Sequence, residues 1–287
     1  MRKMTVLAPA KINLTLSVTG RRPDGYHTVE TLLQSISLCD RLTLEQTDGG
    51  FSLNDIAGVP ARENIIAKAD RLLRQRFPAL PGIAVTLEKN IPAQAGLGGG
   101  SSDAAAYLRG VNALCGLGLT PQELRELALP LGADVPFCLA GGTRECLHKG
   151  EEMTALPPFS AYVLLAKPAV GVSTGEAFRR FDAAESLCHP QNGKVLSAYG
   201  NGEGEKAAPY SLNIFEQLVD LPEGEAIKNA LLDGGAYYAS MSGSGSCFFG
   251  LFREENTCLA AVEKLQELTP FVCPCRTVPV GVEIVPD

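Results

Sequence analysis

Tryptophan is absent from this 287-residue sequence, histidine occurs three times, and aromatic residues make up only 6% of the chain. The nine cysteines include no C-x-x-C pair, which is the spacing that most structural zinc sites use. Basic residues are in the minority too, with 25 Lys and Arg against 32 Asp and Glu. These shortages argue against a zinc protein and against a general nucleic-acid binder.

Long apolar runs are also missing. The N-terminus has two basic residues but no hydrophobic stretch before Pro9 and Lys11, so we expect no signal peptide. No stretch is long enough to predict a membrane span. The cysteines are scattered through apolar segments, which is typical of buried, reduced thiols in a cytosolic protein. We therefore expect a cytoplasmic protein with neither a membrane nor a nucleic-acid partner.

The chain does have enough apolar residues, at 45%, to bury two cores. Alternating or apolar runs predict strands at 11–18, 32–38, 41–45 and 83–87, and helical spacing predicts a helix at 64–76. Thr120, Pro121 and Glu123 are typical of a helix start, and that helix should end near Gly132. We interpret Pro157-Pro158 as a hinge between two domains.

The second half alternates helices and strands. Strands are predicted at 162–166, 237–241, 247–252 and within 271–285, and helices at 211–219, 225–232 and 254–268. The glycine-rich stretch 200–208 is predicted to be a mobile loop. This mixture of elements favours an α+β sandwich.

A glycine-rich segment, IPAQAGLGGGSSDAAA, occupies residues 91–106. It lies between a predicted strand and an alanine-rich helical pattern. Glycines let successive backbone N–H groups approach an anion, and the start of a helix adds the positive end of its dipole. The serines can cap the helix, or donate to phosphate oxygens and to water on magnesium. The pattern favours a triphosphate site, although a flexible linker would have a similar composition.

Neither common nucleotide motif fits this segment. A Walker A loop ends in G-K-[S/T], and no such triplet occurs. A dinucleotide fingerprint needs a third glycine where Ser101 stands, and the distance from the end of the strand to Gly96 is too long for its tight turn. A different phosphate-binding loop is therefore required.

Two other segments carry chemistry when taken with this loop. GADVP places Asp134 in an apolar context, where a lone aspartate would otherwise be interpreted as a turn former. SMSGSGS at 240–246 is a second glycine-serine turn between apolar strands, which by itself predicts a hairpin.

Together, the three segments resemble the GHMP kinases, such as galactokinase, homoserine kinase and mevalonate kinase. The family loop P-x3-G-L-G-S-S-A-A is matched by Pro92, Gly96, Leu97, Gly98, Ser101, Ser102 and Ala104, with two extra glycines before the serines. Segments 8–14, 22–27, 132–136 and 243–245 agree in the same order with one member of the family. The stretch 144–151 departs from the pattern, because His148 stands where glycine is usual.

The resemblance implies the two-domain GHMP kinase fold. The N-terminal domain, residues 1–158, is expected to be a mixed-sheet nucleotide-binding domain that resembles domain 2 of ribosomal protein S5. The C-terminal domain, residues 159–287, is expected to be a ferredoxin-like α/β sandwich. Both ligands would bind in the cleft between the domains.

The resemblance also implies transfer of a phosphoryl group from ATP, with Mg²⁺, to a small alcohol. Asp134 would take the proton from the acceptor hydroxyl, with Lys11 beside it. A nearby ammonium keeps a carboxylate ionised, orients it and offsets charge on the transferred group. Without the resemblance, Lys11 would be interpreted as a solvated lysine on a strand. No residue is assigned as a direct metal ligand.

The nucleotide is expected to contact the glycine-rich loop, formed by Pro92, Gly96, Leu97, Gly98, Gly99, Gly100, Ser101 and Ser102. Asn64 resembles a position near the adenine or ribose, although a helix N-cap explains it equally well.

The acceptor is expected to carry a cytidine diphosphate group. Tyr26 and His27 resemble residues that hold the cytosine, with Asn13 on the substrate side. Phe178 resembles an aromatic residue that stacks on the other face of the base, and Thr174 lies one helical turn before it. A hairpin-capping Tyr-His pair and a core phenylalanine are the alternatives.

Two rival functions stay open at this point. One is a sister kinase that acts on another alcohol, such as homoserine or a mevalonate phosphate, against which the Tyr26-His27 pair argues. The other is a non-catalytic nucleotide sensor on the same fold, against which the joint presence of Lys11 and Asp134 argues. We expect a monomer or a weak homodimer.

Overall fold

A computed structural model of the chain describes residues 2–22, 25–56, 60 and 63–285. Pro23 and Asp24, within segment 22–27 of the family resemblance, lie outside these residues. The first sheet consists of β1 (Lys3–Arg21), β2 (His27–Thr47), β3 (Ser52–Leu53), β4 (Gly82–Glu88), β5 (Thr143–His148), β6 (Glu152–Ala155) and β11 (Glu283–Val285). Only the β3–β4 pair is parallel among the described strand pairs of this sheet.

The strands predicted at 32–38 and 41–45 form one long strand, β2. Its N-terminal half pairs with β5 and its C-terminal half with β4. Asp40 interrupts the apolar pattern at the point where the two partners diverge, and for this reason the sequence predicted a break. The carboxylate is fully buried and accepts the backbone N–H groups of Asn90 and Ile91 at 2.6 and 2.9 Å.

Four helices cover this sheet in the described residues: α1 (Ile65–Arg76), α2 (Gly99–Leu114), α3 (Pro121–Ala128) and α4 (Val135–Ala140). The predicted capping box of α3 is confirmed, with Thr120 and Glu123 bonded reciprocally. The helix ends at Ala128 rather than near Gly132. The alanine-rich face of α2 is buried against β1 and β2, where small side chains let the helix approach the sheet closely.

The second sheet consists of β7 (Tyr162–Lys167), β8 (Tyr238–Met241), β9 (Phe248–Phe252) and β10 (Phe271–Arg276), in the order β10-β7-β9-β8 with antiparallel pairing. Its helices are α5 (Thr174–Ala183), α6 (Asn192–Gly200), α7 (Gly224–Asp233), α8 (Glu255–Ala260) and α9 (Val262–Gln266). A strand, helix, two strands, helix and strand in succession is the ferredoxin-like arrangement, so the predicted sandwich is confirmed.

Two predictions for the second half were wrong. The stretch 200–208 is not a loop, because α6 ends in it and a 3-10 helix, Gly204–Tyr210, begins in it. Glu203 donates its backbone N–H to the Ala198 carbonyl at 2.8 Å, and Glu205 pairs with Arg253 at 2.6 Å. The helix predicted at 211–219 is reduced to one 3-10 turn, Ile214–Gln217, started by the Asn213 side chain.

The two sheets are joined by backbone hydrogen bonds as well as by the chain. Gln94 and Ala95 accept N–H groups from Ser246 and Cys247, and the next residues reach β1 through the bond from Lys11 N to Leu97 O at 2.9 Å. The last strand, β11, returns to pair with β1. The domain boundary at residue 158 remains a proposal. No helix within the described ranges has both the length and the apolar character to span a bilayer.

Candidate active site

The glycine-rich segment forms a turn that leads directly into α2. Gly96 and Gly98 have φ values of 73° and 71°, in the left-handed region that favours glycine. Gly98 is the N-cap of α2, and no side chain caps the helix. The first N–H groups of a 16-residue helix are therefore available to an anion at the positive end of the helix dipole.

Close packing is the second reason for glycine in this turn. A Cβ on Gly96 would lie 1.9 Å from the Ser242 carbonyl oxygen, and one on Gly98 would lie 2.9 Å from Cγ of Lys11. The loop is thus packed closely between β1 and the serine-glycine turn before β9.

We expect Gly96→Ala to destabilise the protein by more than the roughly 1–3 kcal/mol of left-handed backbone strain alone, because the methyl group also overlaps a carbonyl. Urea unfolding of the two chains would measure the difference. Gly100→Ala is the matched control, since it lies in the helix with its nearest neighbour 3.8 Å away. We expect the control to be neutral or slightly stabilising. Equal stability of Gly96→Ala and the wild type would contradict the packing described here.

Lys11 and Asp134 face each other across this turn. Lys11 Nζ lies 3.3 Å from Asp134 Oδ2, and the lysine side chain is only 5% exposed while that of the aspartate is 36% exposed. Asp134 is positioned as the first residue before α4. Its Oδ1 has no hydrogen-bond partner among the described residues, so one carboxylate oxygen is oriented by the lysine and the other is open to the cleft.

The amide of Asn13 holds this lysine in place. Its Oδ1 accepts from Lys11 Nζ and from the Gly243 backbone N–H, both at 2.8 Å, and its Nδ2 donates to Thr31 Oγ1 at 2.8 Å. Ser242 Oγ donates to the Gly96 carbonyl at 2.9 Å. The sequence left the role of the second glycine-serine turn open. In the structure this turn supports both the lysine, through Asn13, and the glycine-rich turn.

A cleft of about 1140 Å³ opens beside these residues, between the two sheets. Its walls include every predicted site residue except Ser102, Tyr26 and His27. Ser102 is fully buried and donates to the Pro9 carbonyl at 2.8 Å, which fastens α2 to β1. Asn64 lines the cleft and also caps α1, by accepting from the Ile66 N–H at 2.9 Å, so both interpretations of this residue stay possible.

Of the residues predicted for the base, only Phe178 lies in the wall of the cleft. Its ring stacks on His27 with centroids 4.5 Å apart. Tyr26 is 61% exposed, and Lys149 Nζ lies 3.5 Å from its ring centroid. Thr174 Oγ1 lies 3.0 Å from Ser244 Oγ. In this arrangement the His27 ring covers one face of the Phe178 ring.

Lys149 belongs to the turn that departs from the family pattern. His148 adopts φ 61° there, the left-handed conformation for which glycine is the usual residue. The β5–β6 hairpin still closes, with Leu147 opposite Glu152. The departure therefore changes the residue at the turn but not the pairing of its strands.

The sequence did not predict a buried charge cluster beside the glycine-rich turn. Lys89 pairs with Asp40 and, at 2.8 Å, with Asp103. Burial raises the pKa of Asp103 to about 8, against the opposing effect of Lys89. Although burial lowers the pKa of Lys89, the two carboxylates raise it overall. The available signal was Asp103 itself, an acidic residue directly after the two serines.

One carboxylate oxygen in the wall of this cleft bears on whether Mg²⁺ could bind there. Asp103 Oδ1 is, within the described part of the chain, the buried side-chain oxygen that lacks a hydrogen-bond partner. The described residues hold no cluster of three or more His, Cys, Asp or Glu side chains suited to a metal. Mg²⁺ commonly binds through one or two carboxylates together with substrate phosphates, and Asp103 with Ser101 fits that mode.

The sequence compares closely with known kinases. Residues 64–142 match the GHMP kinases N terminal domain, and residues 221–269 match the GHMP kinases C terminal domain. A 4-diphosphocytidyl-2-C-methyl-D-erythritol kinase of Moorella thermoacetica is 42% identical, covering 96% of this chain and 100% of that protein.

Two solved structures show how far the likeness extends. A crystal structure of 4-(cytidine 5'-diphospho)-2C-methyl-D-erythritol kinase superposes with a TM-score of 0.80 at 35% identity, over 96% of this chain and 99% of that one. A homoserine kinase from Cytophaga hutchinsonii reaches 0.77 at 18% identity, over 99% and 98%, and shows the shared fold alone.

A glycine-rich turn at the start of α2, an adjacent Lys-Asp pair and both matched regions place this chain among the GHMP kinases. The predicted two-domain fold and the predicted family are thereby confirmed. Within that class, the chain belongs to the 4-diphosphocytidyl-2-C-methyl-D-erythritol kinases.

Proposed function

We propose that this chain transfers the γ-phosphoryl group of ATP to the 2-hydroxyl of 4-diphosphocytidyl-2-C-methyl-D-erythritol, with Lys11 and Asp134 as its catalytic residues. This reaction is a step of the methylerythritol phosphate route to isoprenoids. The observation that carries the assignment of residues is the 3.3 Å contact of Lys11 with Asp134 next to the exposed start of α2. The identity of 42% to a kinase of this name supports the substrate.

Asp134 accepts the proton of the acceptor hydroxyl while the hydroxyl oxygen bonds to the γ-phosphorus and the β–γ bridging oxygen leaves. Its open Oδ1 is the proton acceptor. Lys11 holds the other oxygen of the carboxylate and places a positive charge where negative charge grows on the transferred group. Because the lysine is nearly buried, its charge is only weakly screened by water.

The start of α2 binds the phosphates through backbone N–H groups, and Ser101 adds a hydroxyl to them. We propose that Asn64, which lines the cleft, contacts the adenine or ribose. Asp103 and Ser101 would hold Mg²⁺, which neutralises charge on the phosphate oxygens when it is bound.

Removal of divalent cations with a chelator is expected to abolish turnover, while the fold, followed by circular dichroism, stays unchanged.

Comparison of acceptors tests the substrate. Steady-state rates would be measured with the cytidine substrate, homoserine and a mevalonate phosphate at saturating ATP. We expect kcat/KM for the cytidine substrate to exceed the others by at least about 10³-fold, because a site built to pair with polar groups rejects ligands that lack them. Equal use of another alcohol would favour the sister kinase, whose fold the homoserine kinase shares.

We propose that Tyr26 and His27 bind the cytosine. Tyr26→Ala should raise KM for the cytidine substrate roughly tenfold to a hundredfold, since stacking on an aromatic ring contributes about 1–3 kcal/mol per base. KM for ATP should stay within about twofold. Initial-rate measurements with each substrate varied would separate the two. If only KM for ATP rose, the assignment of Tyr26 to the base would be wrong. Tyr237→Ala, at a position outside the walls of the cleft, controls for the loss of a tyrosine.

We further propose a cytoplasmic location and a monomer or weak homodimer, with no nucleic-acid or membrane partner. All nine cysteines are free thiols, which suits a reducing compartment. Burial raises the pKa of Cys247 to about 12, so this thiol stays protonated and unreactive.

A further inference from the structure

One face of α5 closes on the ring of His27. Phe178 stacks on the ring with centroids 4.5 Å apart, Phe181 meets its edge at 5.8 Å, and Asp182 Oδ1 lies 2.7 Å from His27 Nε2. The spacing i, i+3, i+4 puts these three side chains on the same side of the helix. The two aromatic rings consequently restrict tilting of the imidazole, and the hydrogen bond to the carboxylate restricts its rotation.

The carboxylate determines which ring nitrogen carries the hydrogen. The hydrogen bond from His27 keeps the pKa of Asp182 below its usual value, with a smaller effect from Arg21, whose guanidinium lies 3.7 Å from Asp182 Oδ2. An ionised carboxylate can only accept hydrogen bonds, so Nε2 must be the donor. In neutral imidazole the lone pair is then on Nδ1, which has no hydrogen-bond partner among the described residues.

An accepting Nδ1 that faces position 4 of the base distinguishes the two common pyrimidines. Cytosine carries an amino group at position 4, which donates hydrogen bonds. Uracil carries a carbonyl at the same position, which only accepts. A histidine fixed as the Nε2–H tautomer therefore pairs with cytosine at this position and meets an acceptor in uracil, with a lost hydrogen bond as the result.

We propose that Asp182 is a positioning residue that fixes the tautomer and orientation of His27 and thereby selects cytosine over uracil in the substrate. This inference rests on the proposed function, in which His27 binds the base. The alternative is that the His27–Asp182 pair only docks α5 on the first sheet. That alternative predicts changes in stability without a change in base selectivity.

Nitrogen-15 NMR of histidine side chains tests the tautomer without any substrate. The chain has only three histidines, so His27→Gln assigns the signals by difference. At a pH where the ring is neutral, we expect Nε2–H in the wild type and a mixture of tautomers in Asp182→Ala. A wild-type ring with its hydrogen on Nδ1, or an unchanged spectrum in the variant, would overturn the proposal.

Base selectivity tests the consequence. The ratio of kcat/KM for the cytidine substrate to that for its uridine counterpart should fall at least about tenfold in Asp182→Ala, through KM rather than kcat. Asp182→Asn keeps an oxygen that can accept from Nε2–H and should retain more of the selectivity. Glu176→Gln removes a carboxylate from the same helix that pairs with Arg179 and Arg180 instead, and should leave the ratio unchanged.

Different outcomes would refute the role of Asp182 and the proposed kinase function. An unchanged ratio in a folded Asp182→Ala chain, or an equal fall in Glu176→Gln, would refute the role of Asp182 while leaving the kinase intact. A wild-type chain that used neither pyrimidine substrate would instead refute the proposed function, and base selection with it. The NMR spectra would still show whether Asp182 fixes the His27 tautomer.

Discussion

Replacing Asp134 by asparagine is expected to lower kcat by roughly 10²–10⁴-fold, because the amide cannot accept the proton of the acceptor hydroxyl. Affinity for a non-hydrolysable ATP analogue should stay within about threefold, since the proposed phosphate site is made from backbone N–H groups of a different segment, at the start of α2. The amide oxygen can still face Lys11, so the shape of the site is preserved. Steady-state kinetics and titration calorimetry would measure the two effects.

A matched control removes a carboxylate outside the cleft. Asp220→Asn, in an exposed position before α7, is expected to retain full turnover. If Asp134→Asn kept wild-type turnover, another group would have to be the proton acceptor and the 3.3 Å contact with Lys11 would be only an ion pair. If ATP affinity were lost together with kcat, Asp134 would act through the nucleotide rather than the acceptor.

Replacing Lys11 by methionine should lower kcat by roughly 10²–10³-fold, because the charge that stabilises the transferred group is lost. Methionine keeps the apolar stem that packs against Gly98, where a Cβ would already lie 2.9 Å from Cγ of the lysine. Asp134 stays accessible to water after the change, so we expect thermal stability to be kept. Single-turnover rates and thermal unfolding would separate the catalytic role from a structural one.

Lys11→Arg is a second, stricter variant. The lysine side chain is 5% exposed and its ammonium lies between Asn13 and Asp134, which leaves little room for a planar guanidinium. We expect arginine to restore little of the activity. Lys68→Met on the exposed face of α1 is the charge-matched control and should be neutral. Wild-type rates in Lys11→Met would show that the lysine is dispensable.

The conformation of the glycine-rich turn is predictable from the sequence because its requirements are local. Positive φ values at Gly96 and Gly98 need glycine, and the helix start follows within the same ten residues. The cap of α1 and the capping box of α3 were predictable for the same reason. Lys11 and Asp134, whose roles were assigned from the family resemblance, also come together in the fold, although they lie 123 positions apart in the sequence.

Contacts between distant elements could not be predicted from the sequence. In the sequence, Lys89 is an ordinary charged residue at the end of a strand. Only the fold places it beside Asp40, 49 positions earlier. His27 and Asp182 are 155 positions apart, and nothing in the local pattern of α5 indicates its partner. Likewise, the prediction divided β2 at Asp40. A fully buried aspartate is rare unless it has partners, and the sequence did not show that Asp40 has them.

The pairing of β11 with β1 has a consequence for how the protein is made. The first sheet receives an edge strand from residues 283–285, so the second sheet is enclosed in sequence between parts of the first. During synthesis, the first sheet cannot be completed until nearly the whole chain has been made. A nascent or truncated chain that ends at residue 158 should therefore expose the edge of β1 and depend on chaperones, whereas strand completion would come as the final event of folding.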